Sequence, residues 1–181
     1  MSKNTIKYDS HFVIGGARSG KSLFAERLVT DLAEKRELKR HYLATAEAFD
    51  EEMEKRIQQH IAQRGTGWQT IQEPLHITDA LSSLSSNDVV LVDCLTLWAN
   101  NLIHYQHDHM AAIDTLCTWL EAPTCHVVLV SNEIGQGLVP MDKLSRQFRD
   151  ISGTMNQAVA KKAKKVTFIS AGLPLTLKNE T

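Results

Sequence analysis

The chain has 181 residues, 43% of them apolar and 23% charged, with a formal net charge of −1. That length supports one domain, residues 1–181, with a full hydrophobic core, and leaves too little chain for two. No apolar run approaches the roughly 20 residues that span a bilayer, and the near-neutral charge argues against a nucleic-acid protein driven by bulk electrostatics.

The N-terminus, MSKNTIKYDSHF, lacks the apolar segment and small-residue cleavage site of a secretory signal, so the sequence predicts a cytoplasmic protein, with residues 1–10 a flexible extension. HFVIGG (11–16) reads as a short buried strand running into glycines. KSLFAERLVTDLAEKR (21–36) follows with helical spacing at Leu23, Ala25, Leu28 and Leu32. RHYLATA (40–46) is a second strand. Asp50 can cap a helix over about 51–64 that stops at Gly65, with Met53, Ile57 and Ile61 as its apolar stripe.

DVVLVDCLT (88–96), CHVVLVSNE (125–133) and KKVTFISAG (164–172) are near-continuous β-branched runs, the pattern of parallel strands buried on both faces. Between them the spacing predicts helices over about 97–121 and 141–164, the latter with Leu144, Phe148, Ile151, Met155 and Val159 on one stripe. The alternation implies an α/β fold, a parallel sheet with helices on both faces. The basic runs EKRELKR (34–40) and KKAKK (161–165) are read as solvated helix ends. HYQHDHM (104–110) is read as a polar surface segment, since a spacing of three then two does not keep its histidines on one helical face. Cys94, Cys117 and Cys125, an odd number at wide spacings, fit reduced buried thiols rather than a disulfide framework. Trp98, Trp119 and Tyr105 are read as core aromatics, with contact to a large ring system the alternative.

One motif fixes the chemical class. GGARSGKS satisfies G-x-x-x-x-G-K-[ST] over Gly15, Gly16, Ala17, Arg18, Ser19, Gly20, Lys21 and Ser22, between a buried strand and a helix. Glycines there let backbone N–H groups converge on phosphate oxygens, Lys21 reaches the terminal phosphates and Ser22 can ligate Mg²⁺. The alternative is an ordinary glycine turn. A P-loop needs an acidic partner for the metal at the end of a neighbouring strand. Asp93, closing VVLVD, fits, with a helix N-cap as its alternative role. Glu133, just past VVLVSN, is a second carboxylate expected at that sheet edge, where it could orient magnesium, accept a proton from a substrate hydroxyl, or be a loop residue.

In RIQQHIAQRG (56–65) a helix would place His60 one turn from both Arg56 and Arg64. Cations on either side favour the neutral imidazole, whose free lone pair can attack phosphorus while the guanidiniums hold phosphate oxygens. A surface histidine on an amphipathic helix is the alternative.

The strings GGARSGKS, YLAT (42–45), DEEM (50–53), RIQQH (56–60), LVDCLTLWANNL (91–102), VSNEIGQGLVP (130–140), FRDISGTMNQ (148–157) and AGLPLTLK (171–178) together resemble the bifunctional adenosylcobinamide kinase and adenosylcobinamide-phosphate guanylyltransferase family, over about residues 12–178. The resemblance implies a RecA-like P-loop NTPase with a mostly parallel sheet, a homotrimer, and two reactions of cobalamin assembly. A nucleoside triphosphate, ATP or GTP, phosphorylates adenosylcobinamide; GTP then guanylylates His60, which passes GMP to that phosphate. It implies nucleotide contacts from Gly15 to Ser22, from Ala44, Thr45 and Ala46, from Ile61, Ala62, Gln63 and Arg64, and from Asp93, with Mg²⁺ held by Ser22 and Asp93. At one position relatives carry Glu where this chain has Gln72, with Glu73 next to it. Two consequences are open, a weaker magnesium or guanosine contact, or substitution by Glu73 after a small shift of the loop. Rival readings are a P-loop small-molecule kinase without guanylyl transfer and a GTP-dependent switch, though the chain has no N-K-x-D guanine-reading motif.

Overall fold

A computed structural model describes residues 8–47, 62 and 64–180. The expected apolar runs are strands: β1 (Ser10–Gly15), β2 (Lys39–Ala44), β4 (Asp88–Asp93), β5 (His126–Asn132) and β6 (Lys165–Ser170). Two further strands, β3 (Trp68–Gln72) and β7 (Leu173–Asn179), form the edges of one sheet ordered β3-β2-β4-β5-β1-β6-β7. Every neighbouring pair is parallel except β6 and β7, which run antiparallel. The β6–β7 turn has two successive residues at positive φ, Ala171 (51°) and Gly172 (78°), as a tight two-residue hairpin turn requires.

Strand alternation divides the interior into two cores. Phe12, Ile14, Leu43, Val90, Val92 and Leu129 face one side, against helices α3 (Leu95–His104), α4 (His109–Glu121) and α5 (Lys143–Lys162). Val13, Tyr42, Leu91, Val128 and Val130 face the other, against α1 (Lys21–Arg36). A short helix, α2 (Ile77–Ser82), contributes Ile77 and Leu81 to the first core. Helices therefore cover both faces of a mostly parallel sheet.

Several boundaries differ from the sequence reading. The predicted helix over 97–121 is two helices, broken where Gln106 takes φ 56° and restarted by Asp108, whose carboxylate accepts from Ala111 N at 3.0 Å. The mostly exposed segment 104–110 spans the turn between them, with the last residue of α3 and the first two of α4. On α1 the buried stripe is Ala25, Val29 and Ala33, with Leu28 and Leu32 half-buried on its flank and Leu23 exposed. On α5 Ile151, Met155 and Val159 are buried, whereas Leu144 is 63% exposed because it sits in the first turn, beyond the core. Trp98 and Trp119 are core residues and Tyr105 is exposed; all three cysteines are free and buried.

Residues 9 and 10, expected to belong to a flexible extension, are instead part of the fold. Ser10 opens β1 fully buried, Val127 N donates to Asp9 O at 3.0 Å, and Asp9 N donates to His126 Nδ1 at 2.9 Å. The basic runs close α1 and α5 as largely exposed or half-buried helix ends, and several of their side chains find partners there. Arg36 and Lys165 both pair with Asp9, Lys164 Nζ donates to Tyr8 O, and Arg40 donates to Thr66 O while lying over Trp68. The predicted Asp50 cap and the stripe of Met53, Ile57 and Ile61 lie outside the described residues.

Candidate nucleotide-binding cleft

Because the strands run parallel, Gly15, Ala44, Gln72, Asp93 and Asn132 all end at one edge of the sheet. In open α/β sheets ligands bind beyond this carboxyl edge, and a cleft of about 680 Å³ opens there.

The loop after β1 forms one wall. Gly15 has no room for a side chain, since a Cβ would stand 2.4 Å from Ile169 O and 2.8 Å from Ser19 Oγ. Gly20 takes φ 95° and its Cβ position is 3.2 Å from Gly172 Cα, so the β6–β7 turn abuts the loop, and Gly172 N donates to Ser19 O at 2.8 Å. Lys21 is 8% exposed and its ammonium donates to Gly16 O at 3.0 Å. Burial pushes its pKa down, and the neighbouring Cys94 and Asp93 partly offset that.

The facing wall is built from β4 and β2. Asp93, half-buried, lines the cleft, and its Oδ2 accepts from the Tyr42 hydroxyl at 3.0 Å. The helix N-cap role does not fall to Asp93, since Cys94 occupies the cap of α3. Burial and the Asp93 charge push the Cys94 thiol up to about 12, and burial likewise raises the Tyr42 hydroxyl, so both stay protonated at neutral pH. Thr45 is a buried brace behind this wall: its Oγ1 donates to Cys94 O at 2.8 Å and accepts from Cys94 N at 2.9 Å, while Asn101 Nδ2 holds its carbonyl at 2.8 Å.

Arg64 closes the far end, its guanidinium carbon 3.4 Å from the centroid of the Tyr42 ring. Thr70 and Gln72, on one face of β3, line the cleft beside it. Glu73 does not line the cleft; its Oε1 accepts from Leu75 N at 3.0 Å and His76 N at 2.8 Å in the turn before α2.

The structure places the expected residues differently. Ala17, Arg18, Ser19, Gly20, Lys21, Ser22, Ala44, Ala46, Arg64, Gln72 and Asp93 meet around the cleft, while Gly15, Gly16 and Thr45 shape it from behind. Glu133 is apart: with Gln136 and Ser170 it lines a second cavity of about 360 Å³ that shares Gly16 to Ser19 of the loop, and its Oε1 accepts from Gly135 N at 2.6 Å. Ala62 is exposed and is not part of the lining. His60, Arg56, Ile61 and Gln63 lie outside the described residues.

Six cleft residues escaped the sequence reading: Leu23, Tyr42, Thr70, Cys94, Leu97 and Asn132. Glu26 does not line the cleft but stands one helical turn beyond Ser22 on α1, where burial and the Asp93 charge raise its pKa and Arg64 opposes the shift. The spacing of four from Ser22 is the signal that could have found it. Ser22 and Asp93 supply a hydroxyl and a carboxylate, the hard oxygen donors that suit Mg²⁺, so the donor set facing the cleft fits that ion.

A glycine loop between a buried strand and a helix, a buried lysine at its end and a carboxylate at the end of a neighbouring strand together define a P-loop nucleotide-binding protein of the α/β class. The crystal structure of the flagellar accessory protein FlaH from Methanocaldococcus jannaschii shares the fold, with a TM-score of 0.53 at 12% identity over 95% of this chain and 79% of that one. The model of the family described as cobinamide kinase / cobinamide phosphate guanyltransferase matches residues 11–177, and the chain belongs to that family. It is 43% identical over 171 residues to the bifunctional adenosylcobalamin biosynthesis protein CobP of Pseudomonas aeruginosa, covering 93% of this chain and 96% of the relative. To the bifunctional adenosylcobalamin biosynthesis protein CobU of Escherichia coli K12 it is 34% identical over 182 residues, covering 92% and 98%.

Proposed function

We propose that the chain phosphorylates adenosylcobinamide with ATP or GTP and then transfers GMP from GTP, through a guanylylated His60, to adenosylcobinamide phosphate, giving adenosylcobinamide-GDP. Membership of the family supports the pair of activities. The observation that carries the phosphoryl-transfer half is the meeting of the adjacent Lys21 and Ser22 with Asp93, more than 70 positions further on in sequence, around one cleft.

In the kinase step the P-loop backbone would receive the triphosphate, and Lys21 would exchange Gly16 O for phosphate oxygens. Ser22 and Asp93 would hold Mg²⁺, which when bound neutralises charge on the phosphate oxygens. Glu133, beside the same loop in the second cavity, is suited to accept the proton of the acceptor hydroxyl. In the second step the neutral imidazole of His60 attacks the α-phosphorus of GTP, forming a P–N bond and releasing pyrophosphate; a phosphate oxygen of the acceptor then displaces the imidazole. The presence of Arg64 in the cleft, four residues after His60 in sequence, supports a nearby site for this exchange. We further propose that the protein works in the cytoplasm as a homotrimer, as the family resemblance implies.

Incubation with α-labelled GTP and magnesium should leave an acid-labile, base-stable label on the protein that His60→Asn abolishes. A folded wild type that takes up no label would remove the guanylyltransferase half. Lys21→Ala should eliminate kinase turnover while His60→Asn retains part of it, and equal loss in both would contradict separable chemistry.

A further inference from the structure

Tyr42 lines the cleft but has no part in the chemistry above. It is buried on β2 at 6% exposure and is held from three directions. Its hydroxyl donates to Asp93 Oδ2 at 3.0 Å, across the register that pairs Ala44 with Asp93. One face of its ring carries the Arg64 guanidinium, 3.4 Å from the centroid. Trp68, on the neighbouring edge strand, meets the ring edge-on at 6.2 Å and 82°.

We propose that Tyr42 is a positioning residue for both ends of the cleft: its hydroxyl orients the Asp93 carboxylate toward a divalent cation, and its ring face orients the Arg64 guanidinium toward phosphate oxygens. A carboxylate that must present one oxygen to a metal rotates unless the other is held, and partners of this kind set metal affinity without touching the ion. A guanidinium on a long stem loses orientation unless a surface confines its plane, and an aromatic face both confines and attracts it. One buried side chain performs both tasks, and among the natural residues a phenol combines the flat ring with the donor at its tip. The inference rests on the nucleotide-binding reading of this cleft.

The test measures binding of a fluorescent GTP analogue to the full chain, first in chelator and then against rising magnesium. Tyr42→Phe removes only the hydroxyl; it should raise the magnesium concentration for half-maximal binding about 10- to 100-fold and leave the metal-free affinity at the wild-type value. Tyr42→Leu removes the ring as well and should also lower the metal-free affinity, by about 30-fold where the whole cation–ring attraction is lost. Arg64→Met should lower metal-free affinity in the wild type and in Tyr42→Phe alike, and cost less in Tyr42→Leu. This variant carries the ring half of the test even where Tyr42→Leu fails to fold.

A residue that only filled space would shift the melting temperature and leave the magnesium dependence of Tyr42→Phe unchanged, and that result overturns the proposal. So does a metal-free affinity that falls as far in Tyr42→Phe as in Tyr42→Leu, or one that Arg64→Met leaves untouched. A folded wild type that binds no nucleotide in either condition overturns the proposed function itself, which separates the two failures.

Discussion

Gly15→Ala tests whether the P-loop is held against β6 as closely as the structure indicates. The added Cβ would stand 2.4 Å from the carbonyl oxygen of Ile169 and 3.3 Å from its carbonyl carbon, both backbone atoms of a paired strand that cannot rotate aside. The loop must therefore move relative to β6. Overpacking a close contact costs about 1–3 kcal/mol, which for a chain of this size lowers the melting temperature by about 2–12 °C. Gly16 is the control, since nothing lies within 4 Å of its Cβ position. Gly16→Ala should unfold within about 0.5 kcal/mol of wild type. Urea unfolding of the three proteins side by side reads the difference directly. A Gly15→Ala protein as stable as Gly16→Ala would refute the close approach and the account of the loop built on it.

Trp98→Ala removes the largest fully buried side chain and the indole donor that holds Leu75 O at 2.8 Å, so urea unfolding should show a loss of about 3–5 kcal/mol. His11, edge-on to Phe24 and 2.7 Å from Thr167 Oγ1, has its pKa lowered to about 4, chiefly by burial and then by Lys165. Between its unfolded value near 6.5 and about 4 the unfolded chain binds more protons, so His11 takes stability away as pH falls through that window, by up to about 3 kcal/mol before solvent screening reduces it. Stability measured from pH 7 to pH 4 should fall less steeply in His11→Gln.

What the sequence made legible follows the range of the signal. Buried parallel strands announce themselves locally, because two-sided burial permits only runs such as VVLVD and HVVLVS, and the P-loop is a local motif between its strand and helix. The edges are harder. β7 carries Pro174 and leaves its leucines exposed, and β3 is a five-residue strand with Gln69, Thr70 and Gln72 exposed, so neither shows the buried pattern. The break between α3 and α4 has no glycine or proline to mark it, and the polar Asn101 inside α3 is buried only because Thr45 O and Pro74 O await its amide. Tyr42, Thr70 and Asn132 became cleft residues through the order of the strands, which no single segment encodes.

The position of Glu133 shows how that order decides chemistry. Read along the chain, Asp93 and Glu133 both follow buried strands at the same sheet edge and look equivalent. In the sheet they are not, because β5 lies between β1 and β4, and its pairing with β1 continues one residue further, with Glu133 N donating to Gly15 O at 3.0 Å. Successive strand residues point to opposite faces, and here Asn132 lines the larger cleft while Glu133 lines the second cavity. The glycine loop is shared by both. Asp93 and Ser22 therefore line the cleft on one side of the glycine loop, and Glu133 lines the cavity on the other; under the proposed function, an incoming hydroxyl would reach Glu133 without crossing the proposed cation site. A parity of one residue at the end of β5 thus separates the carboxylate suited to metal from the one suited to proton transfer.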